Sequence, residues 1–455
     1  MKKSIKIASG QGFWGDLPVA PIHQVKNGPI DYLMMDYLAE VTMSIMQKQK
    51  LRNPKYGYAR DFVEVIRAIL PEIAAGKVKV MSNAGGVNPL ACKDAILAIA
   101  QETGVKNLKI AVVDGDNILD DLDTLITAGH ELRNMETDEP VLTVKDQLLS
   151  ANVYFGAEPM VEALKQGAQI VITGRVTDTG LCLAPMIHEF GWSLDDVDKM
   201  SAGTVAGHIL ECGAQSSGGN FTDWEAVPDM EHIGFPIVEA FSDGTFDVTK
   251  HEKSGGLVHS KTVKEQLLYE IGDPKEYITP DCIADFTSIH LKDVAPNRVR
   301  VSGITGADKT PFYKVSASYL SGFKITTSLT YAWPDALKKA VRAGEILKQR
   351  ALDLGLAFDD FHCEYIGYNG CSEKPTGTEF DRDTPDEVQL RVSLSGPNKK
   401  DLDRFGMEIA PLILTGPSAV TGFAGGRPKA SEIVAYWPAL LKKEAVKPRV
   451  RIFNT

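Results

Sequence analysis

The chain has 455 residues, a formal net charge of −11, 44% hydrophobic residues and 24% charged ones, the balance of a globular protein long enough for two or three domains. Its Lys and Arg are not clustered, which argues against a nucleic-acid footprint, and no apolar run approaches the roughly 18 residues of a membrane span. Met1-Lys2-Lys3 leads straight into Ile5-Lys6-Ile7-Ala8, a short strand and not the apolar region of a signal peptide, so a cytoplasmic location is expected.

The first half alternates apolar strands and helices. Ser4 to Ser9 reads as a strand, and Ile30 to Met35 as a strand that runs on into a helix from about Ala39. A helix near Asp61 to Ala75 precedes the strand Lys77 to Met81, and a helix over Leu90 to Thr103 precedes the strand that starts at Leu108. Val153 to Phe155, the helix Pro159 to Gln166, the strand Gln169 to Thr173 and the helix Gly180 to Phe190 complete the series. Continuous Val/Ile-rich strands between amphipathic helices predict an α/β domain over 1–213, a doubly wound, mostly parallel sheet covered on both faces. After Gly213 the texture changes to Gly-rich loops and strands at Gly234 to Ala240 and Thr245 to Val248. Strands from Lys314 to Tyr331, a helix from Pro334 to Leu354, strands at Cys363 to Tyr368 and Val388 to Leu394, and a helix from Lys400 to Leu414 follow. That order predicts an α+β second domain of split β-α-β type over 214–455.

Strand ends in an open α/β sheet deliver their polar groups to a common crevice, so the polar endings are the candidate site. Asp114-Gly115-Asp116-Asn117 closes the run Leu108 to Val113, and Asp114 and Asp116 are candidate bases. Ser82-Asn83-Ala84-Gly85-Gly86-Val87-Asn88-Pro89 joins a strand to a helix; Asn83, Gly85 and Gly86 read either as an anion cradle or as a well-capped turn. In Thr173-Gly174-Arg175-Val176-Thr177-Asp178, Arg175 suits a carboxylate or phosphate, with a structural pair to Asp178 as the other reading. Around the helix end Gly207 to Asn220, Cys212 is a nucleophile, a proton carrier or inert core. Gln215, with the amides of Gly218 and Gly219, is placed to stabilise an oxyanion.

Other features carry less. Gly10-Gln11-Gly12-Phe13-Trp14-Gly15 matches a dinucleotide-binding pattern only if a helix starts there; otherwise it is a tight loop over the cleft. Asp243, Asp247, Lys250 and His251 read as acid–base groups or as a solvated hairpin face. The six cysteines, at 92, 182, 212, 282, 363 and 371, form no CxxC pair and so neither a disulfide framework nor a zinc site. His208 and Asp114 lack compact ligand spacing, so no metal is expected and no cofactor is assigned.

Nine stretches occur in one order along nearly the whole chain: Gly10 to Asp16, Asp36 to Ser44, Ser82 to Gly86, Asp114 to Asp116, Ile172 to Asp178, Glu211 to Gln215, Gly234 to Ile237, Glu265 to Glu270 and Gly422 to Pro428. Together they resemble the acyclic terpene utilisation AtuA family. The resemblance implies a cytoplasmic catabolic protein, linked in the name-giving branch to branched acyl-CoA intermediates, and carries over no established catalytic residue. Long members have a small additional C-terminal domain, so a chain ending at Thr455 implies a separately encoded small subunit.

The expected activity is that of a lyase or hydratase acting on a small carboxylic acid or its acyl-CoA thioester. Arg175 would grip a carboxylate, the Asn83 to Gly86 turn an anionic group, and Gln215 an enolate oxygen, with Asp114, Asp116 or Cys212 as base. A homo-oligomer is expected. The rival readings are a non-catalytic metabolite-binding or scaffold subunit and a nicotinamide enzyme.

Overall fold

The computed structural model describes residues 2–371, 385–423 and 425–455; Ala424, in the Gly422 to Pro428 stretch, lies outside the described residues. Apolar runs form the strands and amphipathic segments the helices. The chain opens with β1 (Ser4–Gln11), α1 (Ala20–Lys26), β2 (Tyr32–Met35), α2 (Glu40–Arg52), α3 (Arg60–Ala74), β3 (Lys79–Ser82), α4 (Pro89–Glu102) and β4 (Lys109–Asp114). It continues with α5 (Leu122–Thr127), β5 (Leu148–Val153), α6 (Glu158–Lys165), β6 (Ile170–Thr173), α7 (Gly180–Phe190) and α8 (Val197–Glu211). A β-rich stretch follows: β7 (Ile237–Phe241), β8 (Phe246–Thr249), α9 (Ser260–Leu268), β9 (Tyr277–Ile278), β10 (Ile283–Asp285), β11 (His290–Ala295), β12 (Arg298–Ser302), β13 (Thr305–Ala307) and β14 (Phe312–Ala332). Last come α10 (Ala336–Asp353), β15 (Asp360–Ile366), β16 (Glu387–Gly396), α11 (Lys399–Phe405), α12 (Leu412–Thr415), β17 (Val420–Thr421), β18 (Ser431–Lys442) and β19 (Arg449–Asn454).

The fold class is α/β, as the alternation predicts. The main sheet runs β11-β12-β8-β7-β1-β2-β3-β6-β4-β19. Its centre, β1-β2-β3-β6-β4, is parallel, and antiparallel strands extend it on both sides. Leu33 and Met35 of β2, Val80 of β3 and Ile170 and Ile172 of β6 pack into one core with Phe62, Ile66 and Ile69 of α3 and Ile96 and Ile99 of α4. Alternate residues point to the other face, where Tyr32 Oη donates to Glu189 of α7 at 2.6 Å and α7 packs on α8. The sheet is therefore wound on both sides. Apolar strands covered on both faces lose all water contact, which is why they read as unbroken Val/Ile/Leu runs.

Two compact units are present, one running through Ser318 and resuming at Tyr436, the other spanning Tyr319–Ala435. This division differs from the expected cut after Gly213. The β-rich segment after Gly213 adds β7, β8, β11 and β12 to the edge of β1, and β19 closes the opposite edge beside β4. In the second unit the antiparallel strands β14, β16 and β15 carry one apolar face, which α10 covers with Ala340, Ala343 and Leu347, and α11 adds Leu402 and Phe405. That unit has the β-α-β-β-α order expected from sequence.

Candidate active site at the strand ends

A cavity of about 420 Å³ opens at the carboxyl ends of the parallel strands. Gly12 follows β1, Asp36 to Glu40 follow β2, and Arg175 and Asp178 follow β6; Glu211, Cys212 and Gln215 close α8, and Tyr269 and Glu270 follow α9. The turn after β6 brings Arg175 and Asp178, and the end of α8 brings Cys212 and Gln215, to one cavity.

Arg175 is 2% exposed. Its Nη1 donates to the Leu38 carbonyl at 2.6 Å, its two terminal nitrogens lie 3.0 and 3.2 Å from the Asp178 carboxyl, and its guanidinium stacks 4.1 Å from the centre of the Tyr154 ring. The fork is therefore engaged by the protein itself. Its Nε has no hydrogen-bond partner among the described atoms. Tyr154 Oη in turn donates to Glu40 at 3.1 Å.

The carboxylates around this cation differ in their grip on a proton. Burial pushes Asp36 up to about 6, against the pull of Arg175 and of the Asn83 amide that donates to it at 2.6 Å. Burial also raises Asp178 well above the usual carboxylate range, over the pull of Arg175, and the neighbouring charge of Asp36 pushes the same way. Glu40 goes the other way: against burial, its own backbone N–H, Arg175 and Lys314 hold it below the usual range. Arg175 and Lys314 do not compensate all of these carboxyl groups, and burial raises the affinity of Asp36 and Asp178 for a proton.

The α8 end adds a buried hydrogen-bonded pair, His208 and Glu211. His208, 1% exposed, presents Nδ1 to Glu211 at 2.8 Å and Nε2 to the Gln266 carbonyl at 2.9 Å, with Tyr277 and Phe286 edge-on to its ring. Both ring nitrogens face acceptors, which holds the ring in one orientation at the end of α8. Glu211 Oε2 has no partner among the described atoms. Burial and the charge of Glu211 push the Cys212 thiol up to about 12, so it is not a ready thiolate.

The other expected site residues lie elsewhere. Asp114 is held by Arg449 at 2.7 Å and Arg451 at 3.1 Å, on the β19 side of β4. Asp116, pushed up to about 6 by burial, accepts from the Arg175 backbone N–H and from Asn152, both at 2.8 Å, and so fixes the turn that carries Arg175. Asn83 is a support as well: it donates to Asp36 and accepts from the Tyr37 N–H at 2.8 Å. Gly85 and Gly86 are sealed. A Cβ on Gly85 would meet the Thr173 carbonyl oxygen at 2.5 Å and one on Gly86 the Met46 sulfur at 2.2 Å, which leaves no room for an anion. Gly218 and Gly219 form the turn against Val227 and Ala214 and do not line the cavity.

No helix starts at Gly10 to Gly15, since the next is α1 from Ala20, so the pattern is a loop. Gly12 is required there because a Cβ would meet the Gly213 nitrogen at 2.6 Å. Asp247 is tied to Arg298 at 2.7 Å and to Arg300, Lys250 to the Ser254 carbonyl at 2.6 Å, and His251 to the Gln24 carbonyl at 3.0 Å. Asp243 caps its own hairpin by accepting from the Thr245 N–H at 2.9 Å. Among the described residues no three His, Cys, Asp or Glu side chains converge as a metal site, and no helix is long and apolar enough to cross a membrane.

Asp36, Glu40, Glu211, Tyr269 and Glu270 reach the cavity without having been singled out from sequence, yet each falls inside one of the nine ordered stretches. A family model described as acyclic terpene utilisation family protein AtuA matches residues 5–452. The chain belongs to the AtuA family. Comparison with curated proteins and with solved structures gave no match. The AtuA match spans all the segments that build the cavity, from Gly12 to Glu270.

Proposed function

We propose that this AtuA-family chain is a lyase that adds water to, or removes it from, a small acyl compound presented as an uncharged carbonyl such as a thioester. The observation that carries the reading is the pair Asp36 and Asp178 on one cavity, both with raised affinity for a proton and both beside Arg175. Near neutral pH Asp36, at about 6, is largely a carboxylate and serves as base, while Asp178, whose affinity for a proton is raised well above the usual carboxylate range, serves as acid. In the elimination direction Asp36 takes the proton α to the carbonyl, the C–O bond breaks, and Asp178 protonates the departing hydroxide to give water. The two carboxyl groups end with their protonation states exchanged and reset by exchange with solvent. The negative charge that develops on the carbonyl oxygen falls to the Gln215 amide on the cavity wall, with the positive charge of the buried Arg175 beside it.

A free carboxylate substrate fits less well. Asp36, Glu40, Asp178, Glu211 and Glu270 share the cavity with one arginine, and an anion would enter against that field. Incubation of the protein with 3-hydroxyacyl and 2-enoyl thioesters in ¹⁸O-water, followed by mass spectrometry, tests the reading. Label should enter the acyl chain, and Asp36→Asn and Asp178→Asn should each lower kcat by about a hundredfold or more, the scale of a lost acid or base, with KM little changed. Thioesters that raise the melting temperature but never take up label would favour the metabolite-binding reading instead.

A further inference from the structure

A second cavity in the first unit, of about 910 Å³, is separate from the strand-end site. Its walls carry Lys165, Lys309, Lys443 and Lys447, alongside Tyr313 and Trp192. Four ammonium groups converge here in a chain whose net charge is −11. Glu158, Glu162 and Asp281 share the lining, so the lysines outnumber the acids by one and an entering anion meets a net attraction. Lys165, Lys309 and Lys447 make no ion pair or hydrogen bond through their side chains among the described residues. Lys443 is half-buried and donates only to the Pro280 carbonyl, at 2.7 Å.

The acids at this cavity, Glu158, Glu162 and Asp281, offset that charge in part, and Asp281 attracts both Lys443 and Lys309. Asp281 is taken up by the Ala157 N–H, at 2.9 and 3.1 Å, and Glu162 by Gln166 at 2.9 Å, while Glu158 is exposed. A volume of this size is in the range that holds a cofactor-sized ligand. The cavity also shares a wall with the strand-end site. Tyr154 stacks on Arg175 and Gly156, two residues on, lines the large cavity; Lys314 pairs with Glu40 and Tyr313, its neighbour in β14, lines the large cavity.

We infer that the lysine-lined cavity is a binding site for a ligand carrying a di- or triphosphate group. Lysine ammonium groups supply the point charges that phosphate oxygens need, and the apolar side chains of Pro159, Val161, Leu194 and Pro448 line the cavity for the uncharged part of the ligand. The chemistry is common to free nucleotides and to a coenzyme A carrier. Burial pulls Lys443 below its usual range, and an arriving anion would act against that pull.

Titration calorimetry of the full chain with ADP and with inorganic pyrophosphate is the test. Both should bind, and binding should weaken as salt rises. Lys309→Glu and Lys447→Glu, at exposed positions, should each weaken ADP at least tenfold, as should Lys443→Gln. Lys292→Glu, the same charge change on the exposed strand β11, should leave it within twofold. Coenzyme A that displaces ADP competitively would identify the carrier as the natural source; ADP binding that coenzyme A leaves untouched would identify a free nucleotide. No binding of either probe at millimolar concentration, or equal losses in Lys292→Glu and the cavity variants, would overturn the site. The readout is binding alone, so it is independent of turnover at the strand ends.

Discussion

The turns after β2 and β3 sit side by side on neighbouring parallel strands, yet only one is open. After β2, Asp36 and Glu40 line the cavity; after β3, the glycine pair Gly85-Gly86 is packed against the Thr173 carbonyl and Met46. The sealed turn still serves the open one, because Asn83 donates to Asp36 and accepts from the Tyr37 N–H. A Gly-rich strand end is therefore no guide to a ligand by itself. What separates the two turns is whether the freed space has been filled by the protein's own atoms and whether the polar atoms there are already paired.

Asp36→Ala is expected to have the largest effect on that contrast. It leaves the Asn83 amide and the Leu38 N–H without their acceptor at a site where Asp36 is 5% exposed, and removes an ionised neighbour of the buried Arg175. The loss should be about 3–5 kcal/mol in urea denaturation, the range for orphaned buried donors and a broken buried charge network. A loss below about 1 kcal/mol would mean that water satisfies this turn as it would a surface loop. Gly86→Ala tests the sealed turn. With φ at +51° and the Met46 sulfur 2.2 Å from a new Cβ, it should cost about 2–3 kcal/mol and leave kcat of the folded protein within twofold. A selective loss of substrate binding with unchanged stability would instead restore Gly86 as part of an anion cradle.

Much of the fold was legible because the buried strands leave continuous apolar runs. Gly180 to Phe190 is the observed α7, and Ile170–Thr173 lies within the predicted Gln169 to Thr173. The domain cut was not legible, since it depends on β7 pairing back with β1 and β19 with β4, contacts between residues far apart that leave no local periodicity. Arg175 and Asp178 could be read from their place after an apolar strand. Glu40 could not, because an acid at a helix start is equally a partner for the helix dipole, and Asp36, though it too follows an apolar strand, stood where that strand was expected to run straight on into a helix. Asp114 and Asp116 looked like bases for the same positional reason, and only the partners Arg449, Arg451 and Asn152 show them committed to structure.

Asn83→Ala should have a smaller effect, visible in the pH profile. If Asp36 is the base, kcat/KM rises as it loses its proton, with an inflection at about 6. The Asn83 hydrogen bond favours the charged form, so its removal should move that inflection upward. Stability linked to Asp36 has the opposite slope. Its folded value lies above the ordinary carboxylate value, so the folded state binds the proton more tightly, and the stabilisation present below about pH 4 is lost as pH rises through about 6. The melting temperature of the parent protein relative to Asp36→Asn should therefore fall across that window. An unchanged inflection in Asn83→Ala would mean that the amide only holds the turn.

Cys212 should give the smallest effect. It lines the cavity and is half-exposed, so position alone favours a nucleophile, but burial and Glu211 push its thiol to about 12 and leave almost no thiolate at neutral pH. Exposed Cys371 should therefore react with iodoacetamide first at pH 7.5, while Cys212 labels slowly and speeds up as pH rises. Cys212→Ser, which keeps a small polar group beside Glu211, should change kcat by less than about threefold, since an acid–base route through Asp36 and Asp178 needs no thiolate. Rapid labelling of Cys212 that substrate blocks, together with a hundredfold loss in Cys212→Ser, would move the chemistry from the turn after β2 to the end of α8 and replace the carboxyl pair with a covalent mechanism.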